Sequence, residues 1–472
     1  MTGVCCPKVG QSMVQNISRL MRDRRGVSAL MFVASSVGFM SMAGFGMEVS
    51  TWYLERRHGQ NTADAAAIAG VLAIIQATGT QNSGTYTSAQ TAGSSVATDN
   101  GYTSGLTDTT VTIQPGNYSG GTFSADSGSC SSNCNAVKAT IVRGIKRSFT
   151  ALVMGKGSTN VTEVAIAARS NTGDACSLAL GGGLGFSGSA AVTATNCSLA
   201  SNKPGPQSIS FNGAGANKTQ ANAVLVGAGG CTQNGSGSPC TQQGNLMYQP
   251  SSLDPYAALL TDNAAIPSTV NAANCDSSAT ATSPHVISPG VFCVGANLTI
   301  NNAGSSPPGP PVGTLTAGTY FFYESSISVS GGTLICNGCT IIFTASSANK
   351  LGTLSITGGT VTMSATKTPK YADTNYAGIL FYMDYRYAEH QAGSCGNTQV
   401  KITGSSTVTL NGGMYFPNAS VCMTGGSFST SESCLSLVAW SVYYNGNATE
   451  TLSGCSTTGT QTAQTRAVNL VQ

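Results

Sequence analysis

The sequence predicts a mainly β protein led by a single N-terminal transmembrane helix. That helix is expected to extend from the membrane into a small α+β domain over 77–172, with a β-solenoid domain over 173–472. Three observations carry this expectation. An uncharged apolar run spans Gly26 to Met47 behind a basic cluster. A short motif of two apolar residues one apart, then Ser, Thr or Asn, then usually Gly, recurs through the second part of the chain. Polarity comes from Ser, Thr, Asn and 58 glycines, while charged residues are only 8% of 472.

The apolar run comes first. At about 1.5 Å per residue it spans roughly 33 Å as a helix, enough to cross a hydrocarbon core of about 30 Å. Lys8, Arg19, Arg22, Arg24 and Arg25 precede it, offset only by Asp23, so residues 1–25 are expected to stay cytoplasmic and the remainder to be exported. Glu48 and Trp52-Tyr53 suit the outer membrane–water boundary, because a carboxylate is costly deeper in lipid and amphipathic rings settle at the headgroups. The helix is expected to continue over 26–76. Ala63, Ala66, Ala67, Gly70, Ala73 and Ile74 recur at three- and four-residue steps, giving a face of small side chains for the chain's own sheet or for a partner helix. Ser41-Met42-Ala43 also fits the small-x-small pattern of a cleaved signal peptide, against which stand the long basic region and the full membrane length of the run.

The same stretch resembles the N-terminal segment of TadG-like proteins of the Flp/Tad pilus-assembly system. The residues that carry the resemblance are Arg24-Arg25-Gly26 before the apolar helix, Glu48 at its far end, Trp52-Tyr53, Arg56-Arg57, Gln60 and the run Ala63-Asp64-Ala65-Ala66-Ala67. Met31 stands where prepilins and pseudopilins of that system carry Glu, five residues after the cleavage glycine, so the likeness does not extend to prepilin processing at Gly26. The resemblance implies a pilin-like character for the small α+β domain and a single-pass bacterial inner-membrane protein, its bulk outside the cytoplasm.

Composition excludes one class of partner. The net charge of +3 is small and owes much to the N-terminal tail, leaving no basic stripe for nucleic acid. Of 16 cysteines, Cys5 and Cys6 precede the apolar run and should stay reduced; the other 14 form an even set on the exported side, where disulfides persist. Proximity in sequence suggests Cys130–Cys134, Cys176–Cys197, Cys231–Cys240, Cys275–Cys293, Cys336–Cys339, Cys395–Cys422 and Cys434–Cys455, although sequence does not fix connectivity. Cys336-Asn337-Gly338-Cys339 interrupts two β-like apolar runs with turn residues, which suits a structural bridge better than a redox dithiol or half a zinc site.

Residues 77–100 read as a polar helix ending at Asn100-Gly101. Thr110–Gln114, Ala136–Val142 and Val161–Ala168 read as strands by alternation and β-branched content, with Ser148–Met154 as a candidate short helix. A boundary is expected near Asn171–Asp174. Beyond it the motif appears at Leu184–Gly188, Ile209–Gly213, Leu298–Asn302, Ile327–Gly332, Leu354–Gly359, Val400–Gly404 and Val421–Gly426, with Thr451–Gly454 as a partial last copy. From Ile300 the steps between second apolar residues are 29, 27, 46 and 21, in the range of repeat architectures. The step of 46 fits either two rungs or one rung with an insertion containing 385–398. Pro307, Pro308, Pro310 and Pro311 mark a further inserted loop. Stacked rungs, each with an apolar side and a Gly corner, give a solenoid.

Signs of enzyme chemistry are weak. The repeated strands offer almost no Asp or Glu, whereas glycoside hydrolysis needs two convergent carboxylates. Asp384-Tyr385-Arg386-Tyr387-Ala388-Glu389-His390 is the richest ionisable cluster; Asp384 with Glu389 could form an acid/base pair, but a solvated loop with local ion pairs is the better reading. Eight of 16 tyrosines fall between Tyr371 and Tyr444. Tyr382 and Tyr415 lie in apolar runs and suit a core, whereas Asp384, Tyr385, Arg386 and Tyr387 form a candidate contact surface for protein or sugar. Asp126–Ser129 and Gly181–Gly185 match metal-binding and phosphate-loop motifs poorly. No cofactor or metal is expected. The sequence therefore points to a non-enzymatic membrane-anchored component of a Flp/Tad-type pilus or secretion apparatus, in contact with the inner membrane and other pilus-assembly or envelope proteins. The alternative is an adhesin-like module whose tyrosine-rich loops bind a surface or glycan.

Overall fold

The computed structural model describes residues 24–76, 81–106, 108–130, 134–151, 155–188, 190–213, 221–234, 239–242, 244–260, 266–274, 285–292, 297–301, 312–368, 376–388, 390, 395, 398–403, 406–428, 434–451 and 455–471. The chain is mainly β, with a large mixed sheet and one long apolar helix near the N-terminus. It divides into two compact units, residues 1–169 with 469–472, and residues 170–468.

The first unit is built on helix α1 (Arg24–Gln76) and helix α2 (Ser83–Asp99). Asn82 caps α2: its side chain accepts from the amides of Gly84 and Thr85, while the Thr85 hydroxyl accepts from the Asn82 amide, closing a capping box. Strands β1 (Thr109–Ser119), β2 (Thr122–Ala125), β3 (Ala136–Lys146) and the start of β4 (Ser158–Ser187) follow. Their pairing is antiparallel, β2 to β1 to β3 to β4, with Val111 opposite Ile141 and Ala139 opposite Ala165. All three stretches read as strands from alternation lie in this sheet, and each extends past the stretch expected. Ser148–Thr150 form a bend and turn, and the rest of the candidate helix there lies in part outside the described residues.

The second unit holds the remainder of β4, then β5 (Val192–Ser201), β6 (Ile209–Asn212), β7 (Ala221–Gly227), β8 (Cys231–Asn234), β9 (His285–Ile287), β10 (Val291–Phe292) and β11 (Leu298–Ile300). It continues with β12 (Val312–Leu315), β13 (Gly318–Tyr323), β14 (Ile327–Asn337), β15 (Cys339–Thr344), β16 (Leu354–Ser364) and β17 (Ile379–Met383). Strands β18 (Val400–Thr403), β19 (Ser406–Phe428), β20 (Leu435–Thr451) and β21 (Ala463–Leu470, its last two residues counted with the first unit) complete it, with a short helix α3 (Cys455–Thr458) before β21. The described ladders of this unit are parallel and pair matching residues, and an isolated antiparallel bridge joins Leu253 to Gln464.

One ladder unites the recurring motif. Leu298, Ile327, Leu354, Val400, Val421, Val442, Leu184 and Ile209 lie opposite one another in succession. Ile300, Val329, Ile356, Ile402, Met423, Tyr444, Phe186 and Phe211 form the column two residues on. Because side chains alternate along a strand, both columns point inward, and all sixteen residues are buried. Phe186 stacks on Phe211 at 4.6 Å and on Tyr444 at 5.3 Å between ring centroids. Burial of each such side chain is worth about 1.5–3 kcal/mol. Gly332 and Gly359 turn the chain out of this ladder at φ +67° and +78°. A Cβ on Gly359 would lie 2.5 Å from the Gly332 carbonyl oxygen, so adjacent corners nest only as glycines.

The register decides two open points. Ile356 lies directly opposite Ile402, so the step of 46 is one repeat carrying insertions rather than two repeats. The last copy of the motif is Val442-Tyr443-Tyr444-Asn445-Gly446, not the stretch at 451: Thr451 pairs with Thr195 in a different ladder, and 452–454 lie outside the described residues. The proline loop before Val312 also lies outside them. Chain order and ladder order differ. Strand β20, near the C-terminus, pairs with β4, and from there the ladder continues to β6 and β8.

A second ladder is apolar on both faces. Val291, Phe321, Ile342, Tyr382, Tyr415, Val438, Leu178, Ala200 and Val226 succeed one another across it. This column faces away from the interior cluster and is covered by Tyr256, Leu259 and Val270 from the segment between β8 and β9, and by Ala463. Double burial explains the near-continuous apolar runs Gly318–Tyr323 and Ile379–Met383. It also accounts for much of the tyrosine enrichment: Tyr376, Tyr382, Tyr415 and Tyr444 are fully buried. The Tyr415 hydroxyl donates to Asp254 at 2.8 Å, and the Tyr256 hydroxyl donates to the Gln461 carbonyl at 3.0 Å.

Described disulfides join Cys130–Cys134, Cys176–Cys197, Cys231–Cys240, Cys336–Cys339, Cys395–Cys422 and Cys434–Cys455. Cys275 and Cys293 lie outside the described residues. Cys336 is the penultimate residue of β14 and Cys339 begins β15, so their bridge clips a strand-to-strand corner. Cys395–Cys422 ties the insertion after β17 to β19.

Asp254 gives a pH test of the covering segment. Burial pushes its carboxyl above the usual range, against the hydrogen bonds donated by the Tyr256 amide and the Tyr415 hydroxyl. A carboxyl raised on folding favours the folded state below its unfolded pKa, and the contribution is lost as pH rises through the folded value. Thermal unfolding across that acid range should show the wild-type advantage over Asp254→Asn shrinking as pH rises. At neutral pH Asp254→Ala, which leaves the Tyr415 hydroxyl unpaired, should cost about 1–3 kcal/mol.

Candidate functional site: the docked half of the long helix

Helix α1 changes character along its length. From Met31 to Leu54 its large apolar side chains other than Trp52 are exposed, Phe32, Met40 and Met42 by 74%, 72% and 75%, and before Gly44 they are exposed all round. From Ala63 onward one face is buried: Ala63, Ala66, Ala67, Val71 and Ile74 are at most 1% exposed. The small-residue face is thus spent on the chain's own sheet and on α2. Gly70 sits so close to β3 that a Cβ there would lie 2.8 Å from Cγ1 of Val137. Gly93 of α2 lies equally close to α1, its Cβ position 3.0 Å from the Ala66 carbonyl oxygen. Small side chains at both contacts let backbones approach where larger ones would separate the elements.

Polar contacts fix the register of this docking. Gln60 donates from one amide nitrogen to Asp64 at 2.8 Å and to the Val164 carbonyl of β4 at 3.2 Å. Arg56 pairs with Glu163 at 3.3 Å, and Glu55 pairs with Arg143 of β3 at 3.0 Å. Tyr102 donates its hydroxyl to Glu55 at 2.7 Å, with the Arg143 guanidinium 5.2 Å from its ring centre. Burial, then the Glu55 carboxylate, pushes the Tyr102 phenol well above its ordinary range. Tyr53 is exposed, with Arg57 set 6.0 Å from its ring centre. Ala65 lies at the edge of the buried face, half-exposed. Arg25 and Gly26 lie at the start of α1, where side chains are outside the described set.

Glu48 marks the change. Rather than facing a boundary layer of water and headgroups, it is 6% exposed and held by protein donors. The amides of Ser148, Phe149 and Thr150 donate to its carboxylate at 3.1, 2.9 and 2.7 Å, and the Thr150 hydroxyl donates at 2.8 Å. Such charge-assisted bonds to successive amides fasten the turn to the helix. Phe149 lies against Gly44, one helical turn earlier. The sequence placed Glu48 correctly at the end of the apolar run but carried no sign of a partner about 100 residues away.

The other candidates resolve differently. Asp384 is 1% exposed, and its carboxylate accepts from the Thr344 hydroxyl at 2.7 Å and from Arg386 Nε and Nη2 at 2.9 and 2.7 Å. It orders a turn and is not itself at the surface. Arg386 and the half-buried Tyr385 and Tyr387 remain there, with the guanidinium 5.3 Å from the Tyr387 ring centre. Glu389 and Tyr371 lie outside the described residues, so no Asp384–Glu389 geometry is described. Asp126 approaches Cys130 and Cys134, a grouping compatible with a metal. Both cysteines are disulfide-bonded, and one Asp126 oxygen accepts from the amides of Gly128, Ser129 and Cys130, which makes it a turn cap.

Two substitutions separate docking from anchoring. Gly70→Val should lower the stability of the first unit by about 1–3 kcal/mol through overpacking against Val137, without releasing the chain from membranes. Glu48→Ala should lower its unfolding midpoint more than Glu48→Gln, which keeps an acceptor for the turn; equal midpoints for both would contradict the clamp.

Comparison with known proteins converges on this helix. Residues 26–77 match the family model Tad, described as "Putative Flp pilus-assembly TadE/G-like". No curated protein and no solved structure matches the chain. The matched range takes in Glu48, Tyr53, Arg57, Gln60 and the Ala63–Ala67 run, so the family pattern coincides with the contacts just described. The apolar helix and the family together fit a membrane anchor. Through residues 26–77 this chain carries the TadE/G-like segment of the Flp pilus-assembly family.

Proposed function

We propose that the protein is a membrane-anchored structural component of a Flp/Tad-type pilus or secretion apparatus, acting through protein–protein contacts. The observation that carries this reading is one continuous helix, apolar and exposed on all sides before Gly44 and docked by one face from there on, through Gly44, Glu48 and then the small residues from Ala63. An all-round apolar surface suits lipid, whereas a one-sided stripe suits a protein partner. On this reading the tail through Arg25 lies in the cytoplasm, the exposed half of α1 crosses the bacterial inner membrane, and the rest of the first unit and the whole of the second lie outside it. Other pilus-assembly or envelope proteins are the partners, with no catalytic step and no cofactor.

The in-register parallel columns of the second unit support a further reading, that this unit is a β-solenoid. Each repeat passes through successive ladders, and neighbouring repeats complete each other's core. Such a body is stiff and suits a spacer or docking platform, and the described disulfides clip its corners.

Deleting the protein and imaging pili tests the proposal: pili should be lost and should return with the wild-type chain. Normal pili with weakened attachment would favour the adhesin-like reading instead. In fractionated cells the chain should sediment with inner membranes and be cut by protease only from the outer side.

A further inference from the structure

A cleft of about 440 Å³ opens on the outward side of the motif ladder. Its floor takes one residue from each of four neighbouring strands, Tyr443, Gly185, Ser210 and Thr232, in register. One side is lined by Ser187, Asn212 and Asn234, also in register, with Asn445 beside them. The other side carries Lys203 and Gln207.

The hollow has a sequence cause. Gly185 places no side chain in a row where its neighbours carry a ring and a hydroxyl, and the Tyr443 ring lies along the space, Cδ1 2.5 Å from where a Cβ would stand. Gly183 similarly leaves room for the stem of Lys203, whose Cδ is 3.0 Å from its Cβ position. The result is concave, walled by hydroxyl and amide groups, and floored in part by a half-exposed aromatic ring. Asn234 donates to Asn212 at 3.0 Å, which fixes both amides while leaving the Asn212 amide nitrogen and the Asn234 oxygen for a ligand.

The chemistry selects a ligand class. Serine, threonine, asparagine and glutamine supply neutral donors and acceptors together, which match sugar hydroxyls. A tyrosine ring offers a stacking face to the C–H side of a pyranose. Among the described lining residues Lys203 is the one cation and none is a carboxylate. We propose that this cleft binds a carboxylated saccharide, with Lys203 on the carboxylate, the Asn212–Asn234 pair on hydroxyls and Tyr443 against a ring. The inference stands apart from the pilus reading, since it concerns a surface of the second unit only.

Calorimetric titration of the full chain in detergent micelles tests it with four probes: tetragalacturonate, its methyl ester, the muramic-acid-containing disaccharide of the cell wall, and cellotetraose. Binding of tetragalacturonate or the muramyl disaccharide, at least tenfold tighter than of the ester or cellotetraose, is the expected result; which acid binds distinguishes an external polysaccharide from the cell's own wall. Lys203→Ala should weaken acid binding about tenfold, equivalent to about 1.4 kcal/mol. Asn212→Asp, an exposed change that places a like charge in the cleft, should abolish it with an unchanged unfolding midpoint. No heat with any probe, equal binding of acid and ester, or unchanged affinity in Lys203→Ala would overturn the proposal.

Discussion

The architecture depends on one helix whose two parts present different surfaces. Helix α1 is one uninterrupted element from Arg24 to Gln76, about 80 Å at the standard rise. Its first part offers large apolar side chains in every direction, which water would penalise. Its second part offers a narrow strip of Ala and Gly that gains stability only by close backbone approach. Glu48 stands where the regimes meet, and its carboxylate is satisfied by three amides and a hydroxyl from a single turn. A change at this junction would loosen the connection between the apolar rod and the first unit without touching either core.

The second unit solves a different problem, covering apolar strand faces with little help from charge. Matching side chains from successive repeats stack into columns, so each repeat finishes the core of its neighbours. The chain does not lay these repeats down in linear order. Strand β20 lies beside β4, and the segment carrying Tyr256, Leu259 and Val270 covers the apolar column of the second ladder. Asp254 anchors that cover through Tyr415, a buried carboxylate retained at a desolvation cost.

Much of this is readable from sequence, for identifiable reasons. The motif residues of β6, β11, β14, β16 and β18 are locally encoded, because inward side chains two apart followed by a glycine corner give a period that needs no distant information. The copy at Val442–Gly446 escapes notice because a bulky ring, Tyr443, sits between its two inward residues, where no other copy carries an aromatic. The adjacency of β20 and β4 has no sequence signal at all, being a contact between residues some 260 apart. Polar partners are the least readable part. Asp384 reads as an exposed loop residue, yet Thr344 and Arg386 make it a buried turn anchor. The cleft beside Gly185 is invisible in one dimension, since its lining comes from four strands whose neighbours in space are not neighbours in the chain.

The most direct measurement is an accessibility scan along α1, with single nitroxide labels from Met31 to Gln76 in lipid nanodiscs. The account predicts high collision rates with dissolved oxygen at every position from Met31 to Ala43, and beyond it low rates on the docked face, with minima at Gly44, Glu48, Ala63, Ala66, Ala67, Gly70 and Ile74. Uniform access to water-soluble relaxers before Glu48, or oxygen access on the Ala63–Ile74 face, would contradict the division of this helix between lipid and protein.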